Sequence, residues 1–184
     1  MMEISLDHLR IFTVIVGRLV LASYVWGVSR LSQPSDLWGG VTGNLQRFSV
    51  IFMFVAAIGY LIYWWITLFQ MESGDVANLR WPWGESDGGG GARLLLAFAL
   101  LVIPSALWLE ATIFHIENEY SWTPFLVIGV LLLACVGNIM MGLLAYSAYV
   151  DEMPGGRKML IGSILLGIQC IIFDGIYWNL KFPW

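Results

Sequence analysis

Five long apolar stretches, separated by short polar links, constrain the fold of this chain more than any other feature of its sequence. Each stretch holds few charged residues and reaches the about 20 residues that an α-helix needs to cross the hydrocarbon core of a bilayer. The stretches cover residues 9–31, 48–69, 93–116, 124–150 and 157–180. We therefore predict an all-α fold, an integral membrane bundle of five transmembrane helices.

The composition supports a membrane environment and excludes one class of partner. Hydrophobic residues make up 59% of the chain and charged residues only 12%, whereas soluble domains average about 45–50% and about 25%. Many of the ten tryptophans lie near the ends of the stretches, where aromatic rings suit the headgroup region. The formal net charge is −4 and there is no run of lysine or arginine, so the lipid bilayer is the expected partner and nucleic acid is not.

The links indicate one transmembrane domain over residues 1–184. The longest link, residues 70–92, contains the run Gly88 to Gly91 and is expected to be a flexible loop. The first apolar stretch is interpreted as a true membrane span and not as a signal peptide, because no basic segment precedes it.

Five spans place the two chain termini on opposite faces of the membrane. We name the face of the N-terminus side A and that of the C-terminus side B. Basic residues favour the cytoplasmic or equivalent compartment, and side A carries five of them against three on side B. The N-terminus is therefore predicted on the cytoplasmic side, although the sequence does not indicate which membrane. The basic residues are Arg10, Arg80, Arg93, Arg157 and Lys158 on side A, and Arg30, Arg47 and Lys181 on side B.

Three ionisable residues inside the spans are the main functional candidates, namely Arg18, Glu110 and Asp174. Charges within a membrane are costly and by default mark a functional site. Glu110 and Asp174 each lie about five residues beyond the middle of spans that run in the same direction. They therefore share a depth of about 7 Å from the midplane on side B. Two facing carboxyl groups at this depth could hold a cation or a proton.

Other polar and aromatic residues fall near the same level and predict a ligand-binding pocket. A structural alternative is that an acid only hydrogen-bonds a neighbouring helix or the carbonyl freed by Pro104. Arg18 could likewise neutralise an acid, and Asn138 could join two helices. The predicted ligand-binding residues are Glu110, Asp174, His115, Asn138, Trp108, Tyr177 and Arg18.

Three functions are compatible with these residues. The first is a membrane protein that binds or transports a small molecule or a proton through the pocket. The second is a non-catalytic subunit of a larger membrane complex or a homo-oligomer. The third, a lipid-modifying enzyme, has the least support because the sequence contains no nucleophile motif or metal-ligand motif. Of the two histidines, His8 precedes the first span, which leaves too few for a bis-histidine haem inside the bilayer, and the sequence indicates no other cofactor.

The architecture of five spans with many tryptophans is similar to that of the tryptophan-rich sensory proteins, also called the translocator family. None of that family's aromatic-proline signatures aligns with this sequence. The intramembrane acids with aromatic neighbours resemble the chemistry of sterol isomerase-type membrane proteins, and again no motif aligns. We therefore assign no family and transfer no site residue.

Overall fold

A computed structural model describes residues 4–184 and confirms the predicted all-α fold, since this range contains helices and no strand. Five of the helices are long and apolar enough to cross a membrane. A short 3-10 helix, Pro34–Trp38, precedes the second span. The helices in chain order are α1 (Leu6–Arg30), α2 (Gly43–Gln70), α3 (Ser73–Asn78), α4 (Gly90–Asn118), α5 (Thr123–Val150) and α6 (Gly156–Lys181).

The order in which the spans pack differs from their order in the sequence. Helix α4 packs against α1 and α5, and α6 packs against α5 and α2. The short links on either side of α5 make it antiparallel to both neighbours, as expected from their length. Helices α1 and α2 meet near side A, where the Arg10 guanidinium donates to the Leu68 carbonyl at 2.9 and 2.6 Å. There Trp64 Nε1 also donates to Thr13 Oγ1 at 2.8 Å.

Two glycines allow α2 and α6 to cross at backbone contact. A Cβ atom at Gly59 would lie 2.6 Å from the Gly162 carbonyl oxygen, and one at Gly162 would lie 2.6 Å from the Gly59 oxygen. Small residues at a crossing let membrane helices approach closely, which replaces the hydrophobic driving force that lipid cannot supply. This crossing fixes α2 against α6.

Helices α2 and α6 both contain π-helical segments that the sequence did not predict. These are Ile66–Gln70 at the end of α2 and Ile168–Trp178 in the side-B half of α6. A π-helix bonds residue i to residue i+5 and is rare outside single turns, which often lie at functional sites. The long segment in α6 therefore changes which of its side chains share a face.

Part of the link at residues 70–92 is helical and packs against the bundle. It contains α3, whose Val76 is buried, and a buried Leu79 follows. Gly90 and Gly91 are the first two residues of α4, where a Cβ atom on Gly90 would lie 2.1 Å from the Val76 carbonyl oxygen. The part of the glycine run at Gly88 is exposed, and its flexibility stays a prediction.

Candidate functional site

Aromatic rings from three spans and the C-terminal tail meet in the side-B half of the bundle. Tyr24 of α1 contacts Trp108 of α4 edge to face, with ring centroids 6.1 Å apart. Trp108 contacts Trp178 of α6 at 5.9 Å, and Trp178 contacts Phe182 at 4.4 Å. His115 of α4 completes the group at 5.8 Å from Phe182. We call this set the aromatic cluster, and its members are Tyr24, Trp108, His115, Trp178, Phe182 and Trp184.

The aromatic cluster uses Trp178 and not its neighbour Tyr177, which the sequence analysis had placed in the site. Trp178 is 5% exposed and its Nε1 donates to the Leu37 carbonyl at 2.9 Å. Tyr177 is 40% exposed on the outside of α6. The hydrogen bond ties the link between α1 and α2 to α6, so that the link covers the cluster.

A cavity of about 490 Å³ opens beside the aromatic cluster on side B. This volume lies within the range of small-molecule sites. Its wall combines two acids, Asp36 and Glu119, with the rings of Trp38, Phe182 and His115. Within residues 4–184, no lysine or arginine lines it. The remaining lining residues are Ser35, Gly39, Val41, Thr42, Gln46, Ile116 and Pro183.

His115 is held in one orientation by Thr123, the first residue of α5. The histidine is 7% exposed, and its Nδ1 lies 2.7 Å from Thr123 Oγ1. The Thr123 hydroxyl donates its only hydrogen to the Tyr120 carbonyl at 2.7 Å. Its oxygen must therefore accept from Nδ1–H, which leaves Nε2 of the neutral imidazole as a hydrogen-bond acceptor. The ring thus brings an acceptor to the wall of the cavity.

Glu110 faces α1 and is paired with an arginine. Its Oε2 accepts a hydrogen bond from the guanidinium of Arg30, the last residue of α1. Successive residues of an α-helix are about 100° apart, so Glu110 lies about 200° around α4 from Trp108, which contacts α6. Within residues 4–184 Glu110 is bonded to Arg30 and Asp174 to Gln169, so the facing carboxyl pair that we considered is not formed.

Asp174 belongs to a separate polar network inside the bundle. Its Oδ1 accepts from Gln169 Nε2 at 2.7 Å, and the same Nε2 lies 3.3 Å from Ser49 Oγ on α2. Gln169 and Asp174 are five residues apart, a spacing that would be about 140° in an α-helix. The π-helical segment brings both residues to one face.

Buried polar atoms without a hydrogen-bond partner within residues 4–184 are concentrated in this half of the bundle. Four occur, and all lie in the side-B halves of α4 and α6. Most buried polar atoms in folded proteins are satisfied, so each of these four atoms has room for one further hydrogen bond, to water or to a ligand. The atoms are Trp108 Nε1, Glu110 Oε1, Gln169 Oε1 and Asn179 Oδ1.

The other two predicted site residues lie away from the cavity. Asn138 is 2% exposed and its Nδ2 donates to the Ser163 carbonyl at 3.3 Å, which joins α5 to α6. This contact matches the structural alternative that the sequence analysis kept open. Arg18 is exposed on α1 and forms no ion pair within residues 4–184.

Sequence reasoning missed the residues that come from the links and the tail. Asp36, Trp38 and Glu119 lie outside the spans, and Phe182 follows the last helix. Such positions have no hydrophobic periodicity, so the sequence does not indicate which way their side chains point. The only available signal was the aromatic run at the C-terminus, which also fits an interfacial belt.

The fold and the site define a class of protein, a multi-pass, all-α integral membrane protein with a side-B aromatic cavity. No protein-family model matches the chain, and neither a curated protein nor a solved structure is significantly similar to it.

Proposed function

We propose that this protein binds a small organic cation with an aromatic or otherwise apolar body in the side-B cavity. The observation that carries the proposal is the wall of that cavity, which contains Asp36 and Glu119 together with Trp38 and Phe182, and no lysine or arginine from residues 4–184. Two carboxylates at a mouth near the low-dielectric membrane attract a cation. Aromatic faces bind both the apolar body and the positive charge.

The aromatic cluster supports the same class of ligand. It continues the cavity wall inward from Phe182 and His115 through Trp178 to Trp108. Trp108 Nε1 at its inner end is buried and has no hydrogen-bond acceptor within residues 4–184. A ligand with a polar group at one end of an apolar body would meet an acceptor in His115 at the wall of the cavity.

Of the sequence-predicted site residues, His115 lines the cavity and Trp108 adjoins it through the aromatic cluster. Asp174 is deeper, in the network with Gln169 and Ser49. We propose that this network serves protons and not the organic cation, because its polar groups are small, buried or half-buried, and linked to one another.

The test uses two probes of nearly equal size and opposite charge, tetraphenylphosphonium and tetraphenylborate. Affinity for the purified protein in a zwitterionic detergent is measured by quenching of tryptophan fluorescence, since Trp38 and Trp184 adjoin the cavity. We expect the cation to bind about tenfold more tightly than the anion, an energy difference of about 1.4 kcal/mol.

The matched variants are Asp36→Asn with Glu119→Gln, which neutralise the cavity, and Glu85→Gln, which removes an exposed acid on side A. The double variant should lose the preference for the cation, and Glu85→Gln should retain it. Equal binding of both probes by the unaltered protein, or a preference that survives the double variant, would contradict the proposal.

A non-catalytic subunit of a larger membrane complex is the second candidate function. The specific observation in its favour is Arg18, which is exposed on a membrane-spanning helix and lacks an ion-pair partner within residues 4–184. The two functions are compatible, because α1 presents Arg18 on a different part of the molecule from the cavity.

A further inference from the structure

Arg18 lies at the midpoint of α1 and therefore near the centre of the membrane. Leu6 and Arg30, the two ends of the helix, are each twelve residues away. At 1.5 Å per residue this separation is about 18 Å in either direction. A hydrocarbon core of about 30 Å extends only about 15 Å from its midplane. The backbone of Arg18 thus lies at the middle of the apolar layer, as far as possible from both headgroup regions.

The side chain of Arg18 points away from the rest of the bundle. Leu9 and Gly27 are buried against the protein, and each is nine residues from Arg18. Nine residues make two and a half turns of an α-helix, so Arg18 occupies the opposite side of α1. The residues one and two turns away on this outer face, Val14, Ile11 and Val25, are exposed and apolar.

Nothing in the described chain compensates the charge of Arg18. The four ion pairs within residues 4–184 use other arginines, and Arg30 is the one that pairs with Glu110. An arginine side chain extended toward side A is much shorter than the about 15 Å to the headgroup region. A charge so placed is expensive unless a partner of opposite sign reaches it.

We propose that the outer face of α1 is an interface for a transmembrane helix of another protein, and that this helix carries an aspartate or glutamate near the middle of its span. The carboxylate would accept a bidentate hydrogen bond from the Arg18 guanidinium. Val14, Ile11 and Val25 would pack on the same helix above and below the pair. Charge complementarity at matched depth identifies the partner. An uncharged helix would leave the Arg18 guanidinium unpaired, and the free-energy cost of its charge in the membrane would remain.

A second copy of this chain does not fit the same face. Pairing of α1 with α1 would bring two Arg18 charges together. Away from the ends of the other spans, the carboxyl groups are Glu110 and Asp174, which lie toward side B of the midplane and have partners in Arg30 and Gln169. The partner is therefore a different protein, and the interface is separate from the side-B cavity.

The experiment reconstitutes the full chain in phosphatidylcholine vesicles with synthetic transmembrane peptides rich in leucine and alanine. Peptides carry Glu, Gln or Leu at their central position, and energy transfer between labels on peptide and protein reports association. We expect the Glu peptide to associate about tenfold more strongly than the Gln or Leu peptide. Arg18→Leu should abolish this preference, and Arg18→Lys should retain part of it.

A variant of opposite charge at position 18 provides a second test if Arg18→Leu or Arg18→Lys fails to insert. Arg18→Glu should no longer associate preferentially with the Glu peptide and should instead associate with a peptide that carries a central lysine. Equal association of all three peptides with the unaltered protein would overturn the proposal. So would a Glu preference that persists in Arg18→Leu. If anionic lipid, tested by adding phosphatidylglycerol, abolishes the preference for the Glu peptide in the unaltered protein, then Arg18 binds lipid headgroups and the proposal is also overturned.

Discussion

The guanidinium of Arg30, at the end of α1, donates a hydrogen bond to Oε2 of Glu110 on α4. Both side chains are between a third and two fifths exposed, and Arg30 also lies over the Trp26 ring at 5.4 Å. Because Arg30 pairs with it, Glu110 can lie in the side-B half of α4 without Asp174 as a partner. It also fastens α1 to α4 at the end opposite to the contact between Arg10 and Leu68.

The first prediction concerns this ion pair. In a double-mutant cycle, Glu110→Gln and Arg30→Gln should couple by about 0.5–1 kcal/mol, since the pair is partly exposed. Stability is measured by thermal unfolding in detergent. Glu110→Gln combined with Arg47→Gln, an exposed arginine on the same side, serves as control and should show additive effects. Additivity in both cycles would mean that the ion pair contributes nothing to stability.

The second prediction concerns the hydrogen bond that orients His115. Thr123→Val keeps the shape of the side chain but removes the acceptor for Nδ1 and should destabilise the protein by about 1–2 kcal/mol. Thr112→Val is the control, because Thr112 is equally buried and bonds only the Trp108 carbonyl of its own helix. The destabilisation is measured as the decrease in unfolding temperature of each variant relative to the unaltered protein. A loss in Thr112→Val as large as that in Thr123→Val would remove the special role of Thr123.

The third prediction concerns the first turn of α4. A Cβ on Gly90 would meet the backbone oxygen of Val76 at 2.1 Å, whereas one on Gly74 would meet nothing within 4 Å. Gly90→Ala should therefore destabilise the protein by about 1–3 kcal/mol, because backbone cannot move aside cheaply. Gly74→Ala in α3 should be neutral or stabilising by up to about 1 kcal/mol. If Gly90→Ala unfolds at the same temperature as Gly74→Ala, the link does not pack on α4.

The fourth prediction concerns pH. The Arg93 guanidinium, 2.5 Å from Asp87 Oδ2, and the Gly89 N–H lower the pKa of Asp87 from 3.8 to about 2. A lowered folded-state pKa adds stability above pH 3.8 that is lost as the pH falls through about 2. The unfolding temperature of the unaltered protein should exceed that of Asp87→Asn at pH 5–7, and the two should converge near pH 2. A difference that does not change with pH would contradict this assignment.

The fifth prediction concerns the network of Asp174. Asp174→Asn keeps an acceptor for Gln169 and should leave the fold and tetraphenylphosphonium binding unaltered. It should abolish proton flux into vesicles that enclose a pH-sensitive dye, because asparagine cannot exchange a proton. Glu85→Gln provides the matched control for loss of one acid. Equal flux through the Asn variant and the unaltered protein would exclude a proton path through Asp174.

The number, length and approximate ends of the five spans were predictable from the sequence. They depend on the length of each apolar stretch compared with the bilayer, which is a local property of the chain. The depth of Glu110 and Asp174 followed from counting residues along their helices. Of the residues predicted for the site, the structure places His115 at the cavity and Trp108 in the aromatic cluster, and their role in binding stays a prediction.

Only the tertiary structure decided which faces of the helices meet. In a soluble protein, apolar periodicity separates the buried face from the exposed one, but here lipid and protein interior are both apolar and the pattern is weak. The sequence therefore did not reveal that Glu110 pairs with Arg30, or that Arg18 points outward. The cavity wall joins Asp36 and Trp38 to Phe182 through folding of links and tail, which have no periodicity. The π-helical segment that brings Gln169 to Asp174 depends on packing, because no local sequence signal specifies it.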